Sequence, residues 1–195
     1  MNLLDKFHNW RRMHRWNRQY RSGRWDNLKS DKEVARYQKI IESIKQFAPE
    51  NPSILDIGCG EGVLTERMNP NDYSYFVGLD FSSESIKLAA KKNLPKTKFI
   101  AADAMKFQPE QKFDAIVFNE AFYYIHDSEK QNVLTRMLES LSPEGVLIIS
   151  IFREGPGSWE YFKEDDRLKE LDYTTVTTDE KMRYWKVGVY KKTGK

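Results

Sequence analysis

The chain is short of the residues that build disulfide-stapled or metal-held folds. Its 195 residues include one cysteine, Cys59, so no disulfide can form within it. Three histidines, with no C-x-x-C and no H-x-x-x-H spacing, leave little material for a zinc site. No apolar run approaches the roughly 20 residues of a membrane span. The first residues, "MNLLDKFHNW", lack the apolar centre of a signal peptide, and a cytoplasmic protein is expected. Acids are missing from one whole segment. Between Lys6 and Arg24 stand seven basic residues (Lys6, Arg11, Arg12, Arg15, Arg18, Arg21, Arg24) and no Asp or Glu. Net charge is only +3, with 32 basic against 29 acidic residues, so the rest of the chain is mildly acidic. The basic character belongs to an N-terminal arm alone, and that bears on partners.

What is present reads as one domain preceded by that arm. Leu3, Phe7, Trp10, Met13, Trp16 and Tyr20 recur at steps of three and four, the stripe of a helix, until Ser22-Gly23 breaks it. A second helix, "KEVARYQKIIESIKQF", has Asp31 as its expected cap and Val34, Tyr37, Ile41, Ile44 and Phe47 on one face. Strands and helices then alternate. "SILDI", "YFVGLD", "TKFIAAD", "FDAIVFNEAF" and "VLIISIF" are near-continuous apolar runs, the mark of parallel strands covered on both faces. Between them lie helices over "GVLTERM", "SSESIKLAAKKN" (capped by Ser82 or Ser83) and "EKQNVLTRMLESL" (with Ser128 and Gln131 as a capping box). "SWEYFKEDDRLKEL" reads as a polar helix. The chain closes on an antiparallel hairpin turning at Asp179-Glu180-Lys181.

"ILDIGCGEG", residues 54 to 62, sets three glycines where the first strand turns into its helix. In a doubly wound sheet that turn is where ligands bind. Gly58 and Gly60 let the backbone approach a ligand, and Gly62 lets the helix start close to the strand. The spacing G-x-G-x-G is one residue short of the dinucleotide fingerprint G-x-G-x-x-G. Acids follow at successive strand ends. Asp80 can accept both hydroxyls of a ribose, Phe81 offers a face to an adenine, and Asp103 can accept from an exocyclic amine.

"ILDIGCGEG", "VGLDFS", "AADAMKF", "FDAIVFNEAFYYI" and "LSPEGVLIISIF" resemble the ordered motifs of class I S-adenosylmethionine-dependent methyltransferases, from about residue 53 to 152. The arm and "NEAFYYI" are similar to small bacterial metabolite methyltransferases and to the nodulation-factor N-methyltransferases. The resemblance implies an α/β, doubly wound, Rossmann-like seven-stranded sheet in the order 3-2-1-4-5-7-6, its last strand antiparallel, with helices on both faces. Residues 1–50 would be a helical arm or lid, and 51–195 a single methyltransferase domain. The implied cofactor is S-adenosylmethionine, leaving as S-adenosylhomocysteine. Gly58, Cys59 and Gly60 would lie along its methionine part, with Asp56 supporting that loop and the amino group. Asp80 would hold the ribose and Phe81 flank the adenine. Asp103 would bind the adenine amine beside the Ala104 backbone, and Asn119 would offer a carbonyl to the ammonium.

The acceptor is then a small molecule methylated at oxygen or nitrogen: a sugar, a lipid or another metabolite. An alcohol needs a base and a neutral amine does not. Glu120, Tyr123 and His126 are the candidates for that base, and Tyr124 for pocket wall. Tyr20, Arg24 and Trp25 are placed over the cofactor as lid residues. Asn-Glu-Ala-Phe stands where nucleic-acid base methyltransferases often carry Asn-Pro-Pro-aromatic, so nucleic acid is not the expected acceptor, although an RNA methyltransferase is the rival enzyme. Asn119 and Arg153 stand where catechol-type enzymes carry metal-binding acids, and no metal is expected. A non-catalytic cofactor-binding subunit is the alternative from another class. The basic arm leaves three roles open: a lid, a face for an anionic membrane surface, or a holder of RNA phosphates.

Overall fold

The computed structural model describes residues 3–155, 157–180 and 182–193. The side chains of Leu3 and Phe7 in the arm's stripe, and Lys181 in the hairpin turn, lie outside the described residues. Seven strands form one sheet: β1 (Ser53–Ile57), β2 (Tyr75–Asp80), β3 (Thr97–Ala101), β4 (Phe113–Asn119), β5 (Leu141–Phe152), β6 (Leu168–Thr177) and β7 (Tyr184–Lys192). Their order is β3-β2-β1-β4-β5-β7-β6, as the resemblance implies. β1 to β5 run parallel, whereas β7 is antiparallel to both β5 and β6.

Continuous apolar strands make the sheet possible because successive side chains enter opposite layers. Ile54, Ala115, Val117 and Ile148 join a core with helix α2 (Val34–Phe47) and helix α3 (Val63–Arg67). Leu55, Ile116, Phe118 and Ile149 face the other way, against helix α5 (Asp127–Ser140) and Phe162 of the short helix α6 (Glu160–Lys163). Helix α4 (Ser83–Lys91) packs on β2 and β3, and the arm helix α1 (Leu3–Arg21) lies on α4.

Four local readings are corrected. The polar helix expected over 158–171 is only the four residues of α6, and Leu168–Leu171 are already strand. Pairing of Leu168 with Lys192 and Lys169 with Lys191 extends the hairpin, and ladder hydrogen bonds outweigh the local helix preference of a charged stretch. The α5 cap is His126, whose Nδ1 accepts from the Ser128 N–H, while Gln131 reaches Asp165 instead of closing a capping box. Asp31 caps nothing through its side chain; a 3₁₀ turn over Asp31–Glu33 leads into α2. Finally, α2 buries Arg36, Tyr37, Ile40, Ser43 and Ile44, with Val34, Ile41 and Phe47 only half-buried. An arginine on the sheet side of a helix needs a partner there. Ser82 caps α4 as expected, accepting from the Ser85 N–H.

Candidate active site

At the carboxyl end of β1 the chain turns through Gly58, Gly60 and Gly62, all with positive φ. Gly58 and Cys59 both donate to the carbonyl of Leu79, which fastens this loop to β2 (2.8 and 3.0 Å). A Cβ on Gly58 would come within 2.5 Å of the Ala121 Cβ, and one on Gly60 within 2.8 Å of the Tyr20 hydroxyl. Side chains are therefore excluded for two reasons, conformation and space. Asp80, 5% exposed, ties the neighbouring loops together: one oxygen accepts from the Gly60 N–H (2.9 Å) and the other from the Ser82 N–H (2.7 Å). Burial raises its pKa against those two hydrogen bonds. Each oxygen keeps a second lone pair for a ligand hydroxyl.

Asp56 is buried on β1, and neither carboxylate oxygen has a hydrogen-bond partner among the described residues. Burial pushes its pKa up to about 8, the nearby Asp80 adds to this, and Arg36 opposes it. Burial, then Asp80 and Asp56, also raise the Cys59 thiol well above its ordinary value. Cys59 is a small buried wall residue, and a thiolate nucleophile is disfavoured there.

At the end of β4, Asn119 accepts through its side-chain oxygen from the guanidinium of Arg36. Arg36, only 1% exposed, also donates to Glu33 (2.8 Å), and its Nε has no partner. Glu120 follows with φ +58 and every acceptor engaged. Its Oε1 accepts from Ser150 Oγ (2.9 Å), and its Oε2 from the Tyr123 hydroxyl and the Phe152 N–H (both 3.0 Å). Burial raises the Glu120 pKa, with Arg36 and these hydrogen bonds opposing. Burial and Glu120 together keep the Tyr123 hydroxyl protonated far above its ordinary range.

The arm closes over these elements. Asn9 donates to Asp103 (2.8 Å), whose other oxygen accepts from the Met105 N–H. Arg12 donates to the carbonyl of Tyr124, and Asn17 accepts from Ser82 Oγ (2.6 Å). Trp16 stacks on Trp25 at 5.2 Å and meets Tyr124 edge-on at 4.9 Å. Beneath them is a cavity of about 350 Å³. Gly58, Cys59, Gly60, Asp80, Phe81, Asp103, Ala104 and Asn119 line it, as do Tyr20, Trp25, Glu120, Tyr123 and Tyr124. Residues far apart in the chain thus meet in one place.

Residues 54–145 match the family described as "Methyltransferase domain". Over that stretch, just under half of the chain, it is similar to a methyltransferase domain. Among curated relatives, the malonyl-[acyl-carrier protein] O-methyltransferase 2 of Ilyobacter polytropus is 33% identical over 126 residues, 62% of this chain and 45% of that protein. The chain spans about half the length, or less, of the first curated relatives it matches. Two solved structures share the fold. The N-methyltransferase NodS of Bradyrhizobium japonicum, with S-adenosyl-l-homocysteine, is 21% identical with a TM-score of 0.73, over 86% of this chain and 91% of that one. The 1,6-didemethyltoxoflavin-N1-methyltransferase of Burkholderia thailandensis is 18% identical with a TM-score of 0.76, over 99% and 91%.

Three predicted residues stand outside the cavity lining. Asp56 is buried behind it, next to the lining residues Ile57 and Gly58. Arg24 is exposed and points away, because the turn after α1 directs Tyr20 and Trp25 inward instead. His126 is exposed and lies outside this lining, and its Nδ1 accepts from the Ser128 N–H at the start of α5. Sequence reading missed Arg36, Glu33, Arg183 and Trp185, all of which line the cavity. Arg36 had a usable signal, four residues before the fully buried Ile40. Arg183 and Trp185 had none, since hairpin pairing alone brings them there; Arg183 bonds Glu33 at 2.9 Å.

Proposed function

We propose that the protein transfers the methyl group of S-adenosylmethionine to an oxygen or nitrogen of a small-molecule acceptor. One observation carries this reading: a glycine cradle and two strand-end acids open on a single cavity, beside a buried carboxylate without a partner. The unpartnered Asp56 suits a ligand ammonium, and the unpartnered Nε of Arg36 suits a ligand carboxylate. A group bearing both is an amino acid. Asp80 holds the ribose hydroxyls on its remaining lone pairs, Phe81 covers the adenine, and Asp103 with the Ala104 backbone takes the adenine edge. The Asn119 carbonyl joins Asp56 in holding the ammonium. When bound, the cofactor supplies an electrophilic methyl on a sulfonium.

The chain's own contribution is mainly orientation, which is worth effective molarities of roughly 10⁵ to 10⁸ M for well-placed groups. Tyr124, Phe152 and Trp185 wall the acceptor side, and the arm, residues 3–33, excludes water as a lid. For an oxygen acceptor, the Tyr123 Oη accepts the acceptor's proton while passing its own to Glu120 Oε2, along the 3.0 Å hydrogen bond between them. Glu120 is suited to take it because burial already favours its neutral form. A neutral amine needs no such relay. The names of the relatives include both O- and N-methyltransferases, which fits a scaffold whose chemistry depends on positioning.

Calorimetric titration of S-adenosylmethionine and S-adenosylhomocysteine into the wild type and Asp80→Ala tests the reading. Expected is binding to the wild type that weakens at least roughly tenfold in the variant, the loss of about 1.4 kcal/mol or more. A folded wild type that binds neither molecule would overturn it.

A further inference from the structure

Asn9 and Arg12, nearly one turn apart on α1, reach the segments that follow three different strands. Asn9 Nδ2 donates to one oxygen of Asp103, after β3, at 2.8 Å. Its Oδ1 accepts from the Arg12 guanidinium at 2.7 Å, so both ends of the amide are fixed. Arg12 also donates to the carbonyl of Tyr124, beyond β4, and its Cζ lies 5.7 Å from the ring centre of Phe81, just after β2. Carboxylate, amide, guanidinium and carbonyl thus form one chain in which each bond polarises the next. Its two ends differ in firmness. Asp103 accepts from the Met105 N–H (2.9 Å), and Arg136 of α5 pins the carbonyls of Ala104, Met105 and Phe107 (3.1, 2.8 and 3.2 Å). Tyr124 instead ends a single 3₁₀ turn, Phe122–Tyr124. That turn is closed by the Tyr124 N–H on the Ala121 carbonyl and the Ile125 N–H on that of Phe122 (both 3.1 Å). Phe122 anchors it in the core, but Tyr124 is exposed, and the arm holds that end: Trp16 packs on the ring and Arg12 holds the backbone carbonyl. A lone turn of this kind opens more readily than a loop fastened from a neighbouring helix.

We propose that Asn9 and Arg12 are positioning residues that couple the adenine end of the cofactor site to the acceptor wall: a nucleoside bound beneath the arm firms the Phe122–Tyr124 turn through Arg12. The proposal rests on the cofactor and acceptor sites assigned above. Arg12, Trp16 and Tyr20 line the cavity together with Phe81 and Asp103, so a ligand there gains the arm's contacts only when the arm is closed. It therefore shifts the arm towards the closed state, in which Asn9 meets Asp103 and Arg12 meets the Tyr124 carbonyl. The turn carries Tyr123, whose hydroxyl donates to Glu120, so the same closure sets the group that faces an acceptor. The arm is the two-state element that both ends bias. Linkage makes the effect reciprocal: an acceptor that settles against the turn tightens the nucleoside by the same factor.

The test is residue-resolved amide hydrogen exchange on the intact chain, alone and saturated with 5′-methylthioadenosine, which has the adenine and ribose but no amino-acid end. Wild type is compared with Arg12→Gln, which keeps a helix-forming residue but lacks the guanidinium that spans both partners. Without ligand, Tyr124 and Ile125 should exchange roughly tenfold faster in the variant, the loss of one hydrogen bond from a charged donor, with the β4 amides of residues 115–118 unchanged. With 5′-methylthioadenosine, those two amides should slow at least roughly fivefold in the wild type and less than about twofold in the variant, while arm amides of residues 17–20 slow in both. Equal slowing of Tyr124 and Ile125 in the two proteins would overturn the proposal, because the ligand would then act on the turn without Arg12. So would a wild type that binds 5′-methylthioadenosine with no change at those amides, or a variant whose arm amides no longer slow, since Arg12 would then hold the lid and not the turn. A folded wild type that binds neither 5′-methylthioadenosine nor S-adenosylhomocysteine would overturn the methyl-transfer reading. Exchange without ligand judges the link by itself: identical rates at Tyr124 and Ile125 in both proteins would overturn the role of Arg12 whatever the cofactor.

Discussion

Replacing Asp56 by Asn should make the unliganded protein more stable at pH 8.5 and weaken cofactor binding. The folded-state pKa of Asp56 is raised from 3.8 to about 8, chiefly by burial and then by Asp80, with Arg36 opposing. Between those values the native carboxyl keeps its proton while the unfolded one loses it. The native state then binds more protons, so stability falls as pH rises from about 4 to about 8 and levels off above. At about 1.4 kcal/mol per pH unit the full effect has an upper bound of about 6 kcal/mol. Relaxation and water entry reduce that, and about 2 to 4 kcal/mol is the expected gain of the uncharged asparagine at pH 8.5. Near pH 4.5 the difference should be down to about 1 kcal/mol or less. Urea unfolding of both proteins at pH 4.5, 6, 7 and 8.5, without cofactor, measures it. A stability difference that stays flat across this range would refute the reasoning, because Asp56 would then be ionised and compensated throughout. The same substitution should weaken S-adenosylmethionine binding at least roughly tenfold, since it removes the charge offered to the ammonium.

Two further substitutions separate cradle from scaffold. Gly58→Ala places a methyl 2.5 Å from the Ala121 Cβ at φ +81, and should cost about 2 kcal/mol in chemical denaturation and abolish S-adenosylhomocysteine binding; undiminished binding would mean the loop has room to move. His126→Ala removes the α5 cap and should cost about 1 kcal/mol of stability while leaving kcat for any acceptor found unchanged within about twofold. A loss of kcat with the fold intact would return His126 to the list of catalytic groups.

How far the sequence could be read depended on the range of the interactions. The apolar strands could be recognised because β1, β2 and β4 are buried on both faces, which leaves an apolar run with no alternation. Edge strand β6 is different. Its Lys169, Glu170 and Asp172 are typical of an exposed sheet edge and equally of a polar helix, so only the β7 partner distinguishes them. The glycine loop and the strand-end acids could be located because their chemistry is local to each strand end. Arg36 and Arg183 were hidden because each acts through Glu33, one from a helix interior and one from a hairpin 150 residues away. The capping role of His126 was hidden for a related reason: an imidazole nitrogen can accept from the backbone N–H two residues on, and sequence alone gives no weight to that use.

The charge pattern around the cavity explains why such costly groups can share it. Asp56 and Asp80 are buried and Glu120 half-buried, each with its pKa raised by desolvation, and Arg36 is a buried cation among them. Arg36 is held by Asn119 and Glu33, so its attraction does not fully offset the three acids. Keeping acids in such a place lowers the stability of the unliganded fold. A ligand with an ammonium, a sulfonium and a carboxylate supplies two positive groups to the acids and one negative group to Arg36. Binding it should therefore lower the pKa of Asp56 and release the proton held on the unliganded carboxyl. Near pH 7 that makes cofactor affinity rise with pH and level off above about 8, in the same range where the unliganded fold loses stability.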